Sequence, residues 1–133
     1  MKKILVWLYL CFMASTALAD SIVLDNETNY PEKGKPGKIA VQWAATVEIT
    51  QKANKTIIHG STLDLSALMM LPQKGQIRLT PPNHSKYFRI LVWSTDKHGP
   101  DFLTNWVNIV PNTTYTVKQD QLIPVVLMSG SGC

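Results

Sequence analysis

Lys38-Ile39-Ala40-Val41-Gln42-Trp43-Ala44-Ala45-Thr46-Val47-Glu48-Ile49-Thr50-Gln51 is the stretch whose reading decides the fold. Ile39, Val41, Trp43, Ala45, Val47 and Ile49 take alternate positions, with Lys38, Gln42, Thr46, Glu48 and Thr50 between them. A period of two sorts side chains onto the two faces of an extended ribbon, so the run reads as strand. It is long for a single strand, which implies a bend near Ala44-Ala45 or passage into a neighbouring sheet.

Towards the N-terminus, Ser21 to Leu24 is a shorter strand, separated from the first by Asn29-Tyr30-Pro31-Glu32-Lys33-Gly34-Lys35-Pro36-Gly37, a loop dense in turn formers. Towards the C-terminus, Thr56 to His59 and Thr62 to Leu65 read as short strands around Gly60, after a turn at Asn54-Lys55. Ser66 to Leu71 holds helix-favouring residues, but six residues ending at Pro72 give only about one and a half turns. Gln76 to Thr80 is a further strand, closed by Pro81-Pro82. Tyr87 to Ser94 is apolar on both faces apart from Arg89, the signature of a central strand covered on both sides. Beyond the loop Thr95 to Asp101, the strand pattern resumes at Trp106 to Val110. It returns once more around Tyr115, whose side chain is placed to reach back to backbone groups. Leu122 to Met128 is a last strand, and Pro124 within it indicates an edge or a bulge. The expectation is an all-β domain of seven to eight short strands with almost no helix and no internal repeat.

Residues 1 to 19 read differently. Lys2 and Lys3 precede an apolar run from Ile4 to Leu18, and Ala17-Leu18-Ala19 is a small-x-small cleavage site before Asp20, the pattern of a secretory signal peptide. The run is shorter than the roughly 20 residues that a membrane-spanning helix needs. Cys11 lies inside it after Leu8-Tyr9-Leu10, without the small residue that precedes a lipoprotein cysteine. Removal of the signal leaves Asp20 to Cys133 as one domain, 20–128, followed by a flexible tail, 129–133. The export signal is bacterial in style and places the chain in a periplasm or outside the cell.

The remaining chain has eleven basic residues against nine acidic ones, a balance that argues against nucleic acid as a partner. Its one cysteine, Cys133, excludes an internal disulfide, so stability must come from an apolar core. Cys133 follows Ser129-Gly130-Ser131-Gly132, a tether on which the thiol can bridge to another molecule or stand free.

The run Pro111-Asn112-Thr113-Thr114-Tyr115-Thr116-Val117 resembles the tyrosine-corner strand of fibronectin type III and other immunoglobulin-like sandwiches. Lys38 to Trp43 and Tyr87 to Trp93 are similar in style to the core strands of those folds. The likeness covers roughly the last third of the chain, with partial echoes earlier. Carboxypeptidase-regulatory-like and transthyretin-like sandwiches contain close variants, and the paired cysteines of antibody domains are absent. The resemblance implies a single immunoglobulin-like β-sandwich and carries no catalytic residues.

Among groups able to do chemistry, His98 has the most suggestive setting, because Asp96 and Asp101 flank it on a loop and carry the oxygen ligands a divalent ion takes. A solvated turn built by Gly99 and Pro100 is the plainer account, and no metal or cofactor is expected. His59-Gly60-Ser61 sets a hydroxyl near an imidazole without a Gly-x-Ser-x-Gly elbow and reads as a turn. Lys33, Lys35 and Lys38 crowd one loop, where they form a solvated face or attract an anionic surface or sulfated glycan. Trp43, Trp93 and Trp106 fall on strands and are expected in the core. Asn26, Asn54, Asn83 and Asn112 begin N-x-S/T triplets and are expected to be exposed.

These features point to an exported binding, adhesion or assembly protein of the bacterial envelope that meets a protein partner or a second copy and carries out no catalysis. In a sharper form, Ser21 to Leu24 or the proline-broken last strand leaves a sheet edge for another chain to fill. The competing classes are a periplasmic inhibitor or chaperone, which would bind through a loop such as Asp96 to Phe102, and a small hydrolase or loop-metal enzyme.

Overall fold

The computed structural model of the protein describes residues 21–82, 84–95 and 99–130. In chain order the elements are β1 (Ile22–Glu27), β2 (Lys38–Ala44), helix α1 (Val47–Ile58), β3 (Leu68–Met70), β4 (Gly75–Leu79), β5 (Tyr87–Trp93), β6 (Phe102–Leu103), β7 (Val107–Asn108), β8 (Thr114–Lys118), β9 (Ile123–Pro124) and a short helix α2 (Val126–Gly130). Among the described residues, nine strands form two sheets, so the chain is mostly β as its alternation implies. The expected signal peptide, Met1 to Ala19, lies outside the described residues.

The smaller sheet has the order β4-β1-β8, with β1 antiparallel to β4 and parallel to β8. The larger has the order β3-β2-β5-β6-β9, with β7 also paired to β5. β2 and β5 form its spine, in register from Lys38 opposite Trp93 to Ala44 opposite Tyr87. Phe88 to Trp93 are all buried, as their two-sided apolar character requires. One face of the spine, with Ile39, Val41 and Trp43 of β2 and Phe88, Ile90 and Val92 of β5, packs against Ile22, Leu24, Leu79 and Val117 of the smaller sheet. On the other face Ala40, Leu91, Trp93 and Leu103 lie with Ile57 of α1. Each large apolar side chain enclosed this way contributes about 1.5–3 kcal/mol to folding.

The helix is the main departure from the sequence reading. The long alternating run breaks at Ala44, where a bend was expected, and then turns helical instead of staying extended. Thr46 caps the helix, its Oγ1 accepting from the Ile49 N–H at 3.1 Å, and Glu48 and Lys55 suit the two ends of the helix dipole. Helical spacing buries Thr50 and Ile57 and exposes Val47, Ile49 and Ile58, although Val47 and Ile49 also continue the alternating pattern. The expected strand Thr56 to His59 is therefore the end of α1 and its cap. Thr62 to Leu65 is likewise no strand: it leads into a 3-10 turn that Asp64 caps through the Ser66 N–H. Trp106 to Val110 pairs only at Val107–Asn108, and Leu122 to Met128 pairs only at Ile123–Pro124 before turning helical.

Tyr115 does reach back. Its hydroxyl donates to the Asn108 carbonyl at 2.8 Å and accepts from the Val110 N–H at 2.7 Å. Between those elements Asn112 takes a left-handed φ of 61°, which asparagine tolerates better than most residues, and its N–H meets the Ser21 carbonyl at 2.8 Å. This turn sets β8 beside β1. Among the described residues no helix is long and apolar enough to cross a membrane.

Candidate functional site

The residues singled out in the sequence do not gather into one site. Lys33 and Lys35 are exposed on the β1–β2 loop, and Lys35 Nζ lies 3.0 Å from Glu32, whose carboxyl it holds below the usual carboxylate range. Lys38 turns away from them, its Nζ 5.2 Å above the Trp93 ring. Asp101 is tied to the β5–β6 connection: its carboxylate accepts from the Ser94 N–H at 3.2 Å and from the Ser94 hydroxyl. Asp96, His98 and Cys133 lie outside the described residues. Among the described residues no three His, Cys, Asp or Glu side chains are placed to hold a metal ion. His59 is the C-cap of α1, and His59 and Ser61 are both exposed.

Trp43 and Trp93 are in the core, whereas Trp106 is only half-buried and serves a polar cluster that the sequence reading missed. At its centre is Arg89, 1% exposed on the helix-covered face of β5. Its Nε donates to Gln42 Oε1 at 2.7 Å and its Nη1 to Asn54 Oδ1 at 2.6 Å, while the guanidinium stacks 4.3 Å from the Trp106 ring centre. Trp106 Nε1 donates to the same Asn54 oxygen at 3.1 Å, so one helix side chain ties β5 and the β6–β7 connection together. Arg89 Nη2 has no acceptor, and burial pushes the guanidinium down to about 10. At neutral pH it remains a buried cation, held by neutral oxygens and an aromatic face. The available signal was Arg89 itself, the one charged residue in an otherwise apolar strand.

Asn26 also departs from expectation. It is 2% exposed, and its amide donates to the Tyr30 carbonyl at 2.8 Å while its oxygen accepts from the Thr28 N–H and hydroxyl. It folds the loop inward instead of standing on the surface. Asn54 is half-buried in the arginine cluster, Asn112 is exposed, and Asn83 lies outside the described residues.

The feature best suited to contact another molecule lies where the two sheets part. A cleft of about 390 Å³ opens beside β8, facing β7 and β9 of the larger sheet. Buried Phe88 and Val117 and half-buried Val107 and Ile123 form the apolar part of its lining, and Thr104, Asn105, Thr116, Asp120 and Gln121 the polar part. The Tyr115 ring stands edge-on to Phe88 at 5.0 Å within the same wall. Among the described residues β8 pairs with β1 alone, which leaves its other edge open along the cleft. Ser21 to Leu24, expected as an open edge, leads instead into β1 from Ile22, which has partners on both sides. The final strand is at an edge, as Pro124 implied, but only two residues of it pair.

Comparison with protein-family models, curated proteins and solved structures finds no match.

Proposed function

We propose that this chain is an exported binding or assembly protein of the bacterial envelope, acting through contact with a protein partner and not through catalysis. The observation that carries this reading is the joint presence of an open strand edge at β8 and a partly apolar cleft beside it. Sheet edges are ordinarily short, charged, bulged or covered, because unpaired backbone groups recruit other chains. β8 reads Thr-Tyr-Thr-Val-Lys, with its single charge at one end and no proline. Retaining such an edge beside a partly apolar cleft fits a surface kept for recognition.

The finer fold proposal is an immunoglobulin-like sandwich. It draws support from the reach-back of Tyr115 and from the parallel pairing of the first strand with β8. The export proposal rests on the pattern of Met1 to Ala19.

A photoreactive residue at Asn105 beside the cleft, with a second at Val47 on α1 as the comparison, tests the binding reading in the native host. Discrete protein adducts from position 105 and none from 47 are the expected result. An absence of adducts from both positions sinks it. N-terminal sequencing of the recovered protein is expected to start at Asp20, and a start at Met1 or Lys2 removes the export proposal.

A further inference from the structure

Resting on that reading, we infer the form of the partner: an extended segment of another protein that adds as a strand to the open edge of β8. The segment carries aliphatic side chains at alternate positions and a basic residue where it passes Asp120.

The backbone of β8 dictates the extended form. Val23 donates its N–H to the Thr113 carbonyl at 3.0 Å, which fixes the phase of the β1–β8 ladder. In a parallel ladder the residues in step with Thr113, namely Tyr115 and Val117, direct their backbone groups towards β1. Thr114, Thr116 and Lys118 then direct theirs to the open side. Lys118 already donates its N–H to Gln121 Oε1 at 2.8 Å, so the strand is capped at that end. Thr114 and Thr116 remain to pair with an incoming chain. A helix has its own backbone groups engaged, whereas an extended segment supplies the alternating donors and acceptors that this edge lacks.

The cleft dictates the side chains. Val117 and Tyr115 turn inward while Thr114 and Thr116 are exposed, so an added strand places every second side chain over Phe88, Val107 and Ile123. Its intervening side chains stand in solvent beside the two threonines. β8 is five residues long, so an added strand of matching length presents about three inward positions. Charge supplies the last element: Asp120 is exposed beside the cleft and has no ion-pair partner among the described residues, which favours a Lys or Arg on the incoming segment.

The test appends a probe strand to the full chain. A segment of alternating valine and threonine ending in lysine is joined after Cys133 through a flexible Gly/Ser linker long enough to span the molecule. Tethering raises the local concentration to the order of millimolar, so even weak docking registers. The expected result is a rise in Tm of about 4 °C or more over the untethered protein. Slowing of amide exchange at Thr114 and Thr116 by roughly tenfold or more is expected with it. A tether of the same composition with its valines grouped, so that alternation is lost, is expected to give neither effect. Thr116→Pro removes an outward N–H and is expected to abolish the gain. If that variant does not fold, the grouped-valine tether on the unaltered protein still decides. Equal Tm and equal exchange for the alternating and grouped tethers overturn strand addition. Adducts at Asn105 accompanied by that null result leave partner binding standing and remove only the strand. Exchange protection at Thr114 and Thr116 without adducts in the native host removes the envelope partner and leaves the edge chemistry intact.

Discussion

The two faces of the β2–β5 spine close by different means. On the sandwich face, Ile39, Val41, Phe88, Ile90 and Val92 meet the smaller sheet through apolar contact, which is non-directional. On the helix face, Gln42 and Arg89 interrupt the apolar set and tie α1 down through Asn54 with directional hydrogen bonds. The first arrangement supplies stability. The second specifies where α1 sits and sacrifices stability for it, because a desolvated guanidinium with one nitrogen unpartnered is costly.

Substitutions on the two faces should therefore behave differently. The largest effect is expected from Phe88→Ala on the sandwich face, a loss of roughly 3–5 kcal/mol in urea unfolding as a cavity opens against Trp43 and Tyr115. A loss below about 1 kcal/mol would show that the sheets collapse onto the gap and would weaken the contrast. Next is Asn54→Ala, which takes the acceptor from Arg89 Nη1 and Trp106 Nε1 together. It should cost roughly 2–3 kcal/mol and loosen α1, seen as faster amide exchange in Thr50 to Ile57. Tyr115→Phe deletes both backbone bonds at the β7–β8 turn and should cost about 1 kcal/mol.

The sharpest comparison is a small effect. Replacing the polar pair by apolar residues of similar size, Gln42→Leu with Arg89→Met, should leave stability within about 1 kcal/mol of the parent or raise it, since it removes the buried cation with one of its two acceptors while Asn54 keeps the Trp106 N–H. An outcome resembling Phe88→Ala would mean that the cluster contributes stability as well as position. The smallest effect concerns Glu32 and Asp64, whose carboxyls Lys35 and Ser66 respectively hold below their ordinary values of 4.5 and 3.8. A lowered carboxyl stabilises the fold above its ordinary value, and that contribution is lost as pH falls through the lowered one. The difference in Tm between the parent and Glu32→Gln with Asp64→Asn should thus shrink between pH 5 and pH 2.

The same contrast explains what could be read from the sequence. β2, β4 and β8 were legible because their side chains alternate with the strand period, and β5 because it is apolar on both faces and buried throughout. α1 was not: Val47 and Ile49 continue the alternation of β2, and β-branched residues make up much of the segment, so propensity and pattern both favoured strand. The Thr46 cap, with Glu48 and Lys55 near the ends, was the opposing local signal. What selects the helix is tertiary, because the helical spacing sets Thr50, Asn54 and Ile57 towards the Ala40–Gln42 and Arg89–Leu91 surface. The polar cluster was hidden for a related reason: Gln42 and Arg89 are opposite one another only through the strand register, and Asn54 joins them only through the helix. The β8 cleft depends on strand order, which no local pattern encodes.

The pairing of β1 with β8 also governs when the molecule can fold. Val23 lies opposite Thr114, ~90 positions away along the chain, so the middle strand of the smaller sheet has only one neighbour, β4, until almost the whole polypeptide is available. Closing so long a loop is slow compared with hairpin formation between β2 and β5. A chain that threads N-terminus first through a narrow channel therefore arrives on the far side with its first strand still waiting. Completion of the sandwich is deferred until its last third has followed.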